Sequence, residues 1–276
     1  MLVSRVPRLL SILISGVVVS ISGLIMQQIT RNKFVSPTTA ATEDFAKFGF
    51  LLVLIALPGA TYMYKLIFSF GFALIGTTIF MKIIKNVKFK NDIFIPLVGI
   101  MFGNVISSMT TFIAYRYDMI QSISSFTQGN FATILKGKYE LLFITIPLVI
   151  IAHIYANRFT VAGMGESFSS NLGLNYNSVV NIGLVIVSLC TSLVIITVGN
   201  IPFLGLIVPN IVTMYNGDNM KKNIIPVSIF GALFVLVCDI FGRLIIYPYE
   251  VSISLTVGSV GSIIFLYLLI RRYRNE

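Results

Sequence analysis

Residues 157–178 read NRFTVAGMGESFSSNLGLNYNS, the longest stretch of the chain that is neither a membrane span nor a partner for one. A membrane helix needs roughly 20 mostly apolar residues, and an independent soluble domain usually about 50 or more. This stretch is neither. Gly165 to Leu172 fits two turns of helix, stopped by Gly173 at the position after the C-cap, where a left-handed backbone costs glycine nothing. Met164, Phe168 and Leu172 fall four apart and share one edge. A helix this short does not stay folded alone in water, because nucleating it costs more than two turns return. It needs a surface to lie against. A packed loop and a docking element for a cytosolic partner both fit these residues, and the features that follow favour the second, bounded at 163–173 from Gly163 onward.

Outward from this elbow the chain is apolar. Of its 276 residues 56% are hydrophobic and only 11% charged, with a mean hydropathy of +0.92, which excludes an ordinary water-soluble globule. The fold class is all-α: a polytopic transmembrane helical bundle, residues 1–276 forming one membrane domain. Cys190 and Cys238 lie inside apolar runs without ligand spacing and read as packing residues. The single His153 sits near the end of an apolar run and reads as structural. The net charge of +10 does not point to nucleic acid, because most lysines and arginines cluster at the ends of apolar runs.

Nine spans are expected: Leu9 to Ile29, Phe48 to Tyr64, Leu66 to Ile84, Ile93 to Ala114, Leu141 to Tyr155, Val179 to Val198, Ile201 to Tyr215, Ile224 to Phe241 and Val251 to Ile270. The second and seventh are short or broken by Pro58 and Pro209, so part of their backbone must be sheltered from lipid by protein. Met119 to Leu135 is too polar to span and reads as a surface or half-inserted helix.

Charge sets the orientation. With Arg271, Arg272 and Arg274 cytosolic, counting back places Arg31, Lys33, Lys82, Lys85, Lys88, Lys90, Arg158, Lys221 and Lys222 on the same side. Arg5, Arg8, Lys65, Arg116, Lys136, Lys138 and Arg243 remain outside, which obeys the positive-inside rule. The elbow then lies in the cytosol. The odd count leaves Arg5 and Arg8 outside ahead of the first run, and a further helix upstream of this sequence is the expected explanation.

Catalysis needs convergent titratable groups, and the apolar runs offer almost none. No metal-ligand set and no G-x-x-x-x-G-K-[ST] motif occurs, so no catalytic residue, metal or nucleotide site is assigned to this chain. The acidic residues Glu43, Asp44, Asp239 and Glu250 are placed near span ends, which weakens an ion-coupled mechanism. Gly99, Gly103, Ser107 and Thr111 recur every four residues in the fourth span, with Asn104 and Ser108 one step round. Close helix packing and a wall for a polar solute both suit that row. Gly258, Gly261 and Ser262 offer a weaker version in the last span. Asp239 and Arg243, four apart, can pair along one face; Arg5, Arg8 and Arg243 are outward guanidinium groups suited to carboxylates on a partner.

These residues resemble the FecCD family of ABC-transporter permeases along the whole chain. The family's R-x-P-R appears as Arg5-Val6-Pro7-Arg8, its S-G-x-x-x-Q as Ser22-Gly23 to Gln27, and its cytosolic G-E-x-x-A-x-x-L-G as Gly165-Glu166 and Leu172-Gly173 with Ser169 for the alanine. F-x-G-L-I-V-P matches Phe203 to Pro209, and D-x-x-x-R matches Asp239 and Arg243. Departures are Asn210 for histidine, Thr213 for arginine, and variant segments at Asn32 to Thr38 and Glu250 to Ser254; these resemble importers of iron-catecholate siderophores of the petrobactin type. The resemblance implies ten helices, the first of them absent here. It implies a second permease subunit, identical or not, and two cytosolic ATPases carrying ATP and Mg, docked on Gly163 to Gly173. It implies too an external siderophore-binding protein whose acidic residues meet Arg5, Arg8 and Arg243, and no cofactor on this chain. An ion-coupled carrier or channel needing no ATPase is the rival.

Overall fold

The computed structural model describes residues 5–86, 94–134, 137 and 139–275; Lys88, Lys90, Lys136 and Lys138 of the charge pattern lie outside it. Among the described residues there are twelve α-helices and no strand. α1 (Arg5–Thr30) is followed by α2 (Thr42–Ala56), α3 (Tyr62–Asn86), α4 (Phe94–Arg116) and the short α5 (Ile120–Thr127). A 3₁₀ turn (Tyr139–Ile144) leads into α6 (Thr145–Ile154), α7 (Ala156–Gly163) and α8 (Glu166–Asn171). Then come α9 (Tyr176–Thr197), α10 (Leu204–Asn216), α11 (Met220–Leu244) and α12 (Ile253–Asn275).

Each expected apolar run contains a helix among the described residues, and these helices differ in how well they suit a crossing by length and composition. α1, α3, α4, α9 and α11 are long and apolar enough to cross, and a sixth crossing forms if Tyr139–Ile154 and Ala156–Gly163, bent by 59°, count as one. α2 and α10, of 15 and 13 residues, fall short of the roughly 20 that a bilayer core demands. The second run also ends its helix at Ala56, so Pro58 lies in the turn before α3.

α1 is the central helix, packed against α7, α9, α10 and α11. Its small residues make this possible, since lipid gives helices no hydrophobic reason to associate and close backbone approach must supply the contact. A Cβ on Gly16 would meet the Gly231 carbonyl at 2.7 Å, and one on Gly23 would run into the backbone of Gly205. α4 is peripheral by comparison: 22% of its apolar window is buried, against 67% for α1.

The two short helices have one cause. Both α2 and α10 start inside the bundle, after irregular segments that enter from opposite sides. Pro37 of the first segment packs 3.5 Å from where a Cβ of Gly205 would stand, beside the middle of α1. Each helix starts at a residue with a left-handed backbone, Ala41 (φ 60°) and Phe203 (φ 62°). Irregular backbone at membrane depth is tolerated only inside protein with its polar groups satisfied. Val35, Ser36, Ala40 and Ala41 are fully buried. Ser36 N–H donates to Thr39 Oγ1 at 2.8 Å, Thr39 Oγ1 donates to the Phe34 carbonyl at 3.2 Å, and Asn210 Nδ2 donates to the Lys33 carbonyl at 2.7 Å. The expected sheltering holds around Pro209, which is buried within α10, but not around Pro58, where Leu57, Pro58 and Gly59 are exposed; in the first half the sheltered backbone is instead that of residues 33–41.

One expectation is corrected. Glu43 and Asp44 do not lie near a span end: a Cβ on Gly103, the tenth residue of the 23 in α4, would strike Asp44 Oδ2. Because residues 31–41 carry the chain inward before α2 begins, the first turn of α2 sits near mid-depth.

Candidate functional site

Three sites lie at different depths. At one end is the elbow. Gly165 (φ 116°) turns the chain between α7 and α8, and Gly173 (φ 74°) ends the second turn, both in backbone conformations that favour glycine. Ser169, the departure from the family's alanine, is buried, and its hydroxyl lies 2.8 Å from the Val161 carbonyl and 2.6 Å from that of Gly165, stitching α8 onto α7. Met164, Phe168 and Leu172 remain 55%, 48% and 62% exposed along one edge. Around them Glu166 faces Lys85 at 3.4 Å, and the Arg31 guanidinium lies against Gly165. Gly163 and Met164 also border a cavity of about 570 Å³ with Gln28, Arg31, Lys33 and Asp218. Arg31, Lys33 and Lys85, assigned to the cytosol by charge, therefore gather at the elbow's end, where Lys33 pairs with Asp218 and Met220 N–H donates to Thr160 Oγ1 at 3.1 Å. Asn210 and Thr213, read as separate departures, form one site. Both meet Lys33, the first through its carbonyl and the second through its ammonium at 3.1 Å.

At the opposite end of α1 the arginines divide. Arg5 is exposed. Arg8, only 15% exposed, donates from Nη1 to Glu250 at 2.7 Å and from Nη2 to Asp239 at 2.8 Å. Arg243 pairs with the other Asp239 oxygen, Nε to Oδ2 3.0 Å, and keeps 44% exposure. The i,i+4 pair Asp239–Arg243 is as the spacing anticipated; the engagement of Arg8 is an addition. Arg8 joins α1 to α11 and to the chain ahead of α12, leaving Arg5 and Arg243 as the more available cations of the three.

Between the ends lies α4. Gly99 packs on the Thr39 carbonyl and Phe80, and Gly103 on Asp44, so the glycines of the row serve close packing. Asn104, Ser107 and Ser108 are exposed, and with Thr111, Phe112 and Tyr115 they line a groove of about 530 Å³. Ser107 and Thr111 also line a second cavity of about 260 Å³, shared with Asp44 and Lys47. Asp44, expected near a span end, and Lys47, which no sequence pattern singled out, are brought to this wall because α2 starts inside the bundle. Gly258 and Gly261 pack instead on Pro202 and Phe203. No group of three or more His, Cys, Asp or Glu side chains that could hold a metal forms among the described residues.

The chain is therefore a helical bundle with two short helices that start inside it, a polar file on a peripheral helix and an exposed elbow. The profile of the FecCD transport family matches residues 1–271, and the chain belongs to that family. It is 61% identical over 269 residues to the petrobactin import system permease protein YclN of Bacillus subtilis, covering 98% of this chain and 85% of that protein. It is 39% identical to the petrobactin import system permease protein FatD of Bacillus anthracis, covering 98% and 81%. Its fold matches an inward-facing metal-chelate type ABC transporter with a TM-score of 0.82 at 21% identity, over 96% of this chain and 87% of that one. The chain is thus a cell-membrane permease subunit of an ATPase-driven importer and not an enzyme. Importers of this class work with a partner permease, ATPases and a substrate-binding protein.

Proposed function

We propose that this chain forms, with a second permease subunit, the pathway for a ferric siderophore of the petrobactin type, driven by two ATPases that grip the 163–173 elbow. The observation that carries the reading is the file of exposed polar residues on α4, Asn104, Ser107 and Ser108. Polar side chains on a membrane helix face protein or a water-filled cavity rather than hydrocarbon. The partner permease would cover that file. The names of the two relatives supply the substrate class. ATP and Mg reside on the partner ATPases, and this chain binds no cofactor. Nucleotide-driven closure pushes the elbow and biases a bundle with two alternative packings, opened alternately to either side. Arg5 and Arg243 meet acidic residues of the siderophore-binding protein, while Arg8 holds the rim on which they stand.

Proteoliposomes holding this chain, its partner permease and the ATPase, supplied with the binding protein, are expected to accumulate ferric siderophore only with internal ATP. This chain reconstituted alone under a proton or sodium gradient is expected to accumulate none. Uptake by the lone chain would establish the ion-coupled carrier instead.

A further inference from the structure

We infer that Lys47 and Asp44 form a charged cargo subsite at mid-membrane, in which the Lys47 ammonium receives the anionic oxygens of a passing metal chelate; the inference rests on the proposed function and deepens it. The two residues stand one turn apart on α2, whose first turn lies at the level of Gly103 in α4. Both are only partly exposed, at 19% and 21%, and both line the 260 Å³ cavity.

Lys47 is under-engaged for its position. Its nearest carboxylate oxygen, on Asp44, is 3.9 Å away, an attractive distance for charges but too long for a hydrogen bond, and the buried Glu43 carboxylate one turn back on α2 also attracts it. An ammonium offers three donors, and leaving them unused away from bulk water is costly. The opposite wall calls for a donor. Thr110 and Thr111 turn their hydroxyls back to carbonyls four residues earlier, at 2.8 and 2.9 Å, and Ser108 does the same at 2.8 Å. With their protons so occupied these oxygens offer acceptor lone pairs to the cavity. Lys47 is the only cation among the residues lining either this cavity or the adjoining α4 groove. The two spaces share Ser107 and Thr111, so a solute moving along the file passes the ammonium.

Asp44 gives the resting subsite near-neutrality without tight capture. Its loose pairing leaves the ammonium's donors open to a solute, and a chelate bearing several anionic oxygens outcompetes one carboxylate at 3.9 Å. Because that pairing is loose at rest, the cargo can leave again toward the cytosol.

The test uses the complete reconstituted importer with Lys47→Met and Lys47→Arg, reading ferric siderophore uptake and binding-protein-stimulated ATP hydrolysis side by side. Lys47→Met is expected to lower uptake at least tenfold with ATP hydrolysis within twofold of the parent, and Lys47→Arg to restore uptake to within threefold. Uptake by Lys47→Met within twofold of the parent overturns the subsite while leaving the proposed function standing. Parallel loss of uptake and hydrolysis, unrescued by arginine, makes Lys47 structural and also overturns it. A parent complex that shows no ATP-dependent uptake removes the proposed function and the subsite with it.

Discussion

Replacing Met164, Phe168 and Leu172 together by aspartate is expected to leave the chain inserted in the membrane and to strip it of its ATPase. The fold tolerates the change because all three side chains are about half exposed or more, and surface substitutions typically shift stability by only about 0.5 kcal/mol. The elbow's own stability comes from elsewhere: the two turns at Gly165 and Gly173, and the buried Ser169 hydroxyl. A docked partner, in contrast, covers the apolar edge. Each anchor lost from a buried contact costs about 1.5–2 kcal/mol. Three such losses amount to roughly 5 kcal/mol, or three to four powers of ten in affinity. An affinity-tagged parent chain drawn from solubilised membranes should bring the ATPase with it, and the triple variant should come alone at unchanged yield. Stoichiometric ATPase on the variant would show that the elbow is only a packed loop. Glu166 is a weaker lever, since its pairing with Lys85 at 3.4 Å lies half in water and such pairs are worth at most about 1 kcal/mol.

Arg8→Leu is expected to loosen the outer end of the bundle far more than Arg243→Ala. In the parent, Arg8 separates Asp239, only 5% exposed, from Glu250, and removing it leaves two carboxylates facing each other with one guanidinium at the edge. Breaking a fully enclosed pair costs roughly 3–5 kcal/mol. Because Arg8 and Glu250 keep contact with solvent, about 2 kcal/mol is the expected loss. Arg243 has 44% of its side chain in water and a single carboxylate partner, so its removal should cost no more than about 1 kcal/mol. Thermal unfolding of the two variants in the same detergent separates the cases: a clear fall in midpoint for Arg8→Leu and a small one for Arg243→Ala. Equal midpoints would mean that the Arg8 network holds nothing together.

What could be read from the sequence was whatever has a local period. Nine apolar runs gave nine helical elements, and the four-residue spacings of Asp239–Arg243 and of Met164, Phe168 and Leu172 placed those side chains on common faces. What could not be read depends on contacts between residues far apart in the chain. Arg8 meets Glu250 across 242 residues, and Lys33 meets Thr213 across 180; neither leaves a periodic trace. The same limit hid the depth of Glu43, Asp44 and Lys47. Ser36-Pro37-Thr38-Thr39 carries no period that sets its depth, and only Asn210 and Gly205 on distant α10 give it a place inside the bundle. The departures at Asn210, Thr213 and Lys33 looked scattered along the chain but meet at one point.

The central claim is that a separate motor grips the polar elbow from the cytosol. Phe168→Cys tests it most directly, because both native cysteines are buried and the introduced thiol is then the reactive one. In native membranes containing the assembled importer, a short bifunctional thiol reagent should join Phe168→Cys to the ATPase, whereas Arg5→Cys, at the other end of α1, should give no such adduct. An adduct from Arg5→Cys with none from Phe168→Cys would place the motor on the wrong face and contradict the account.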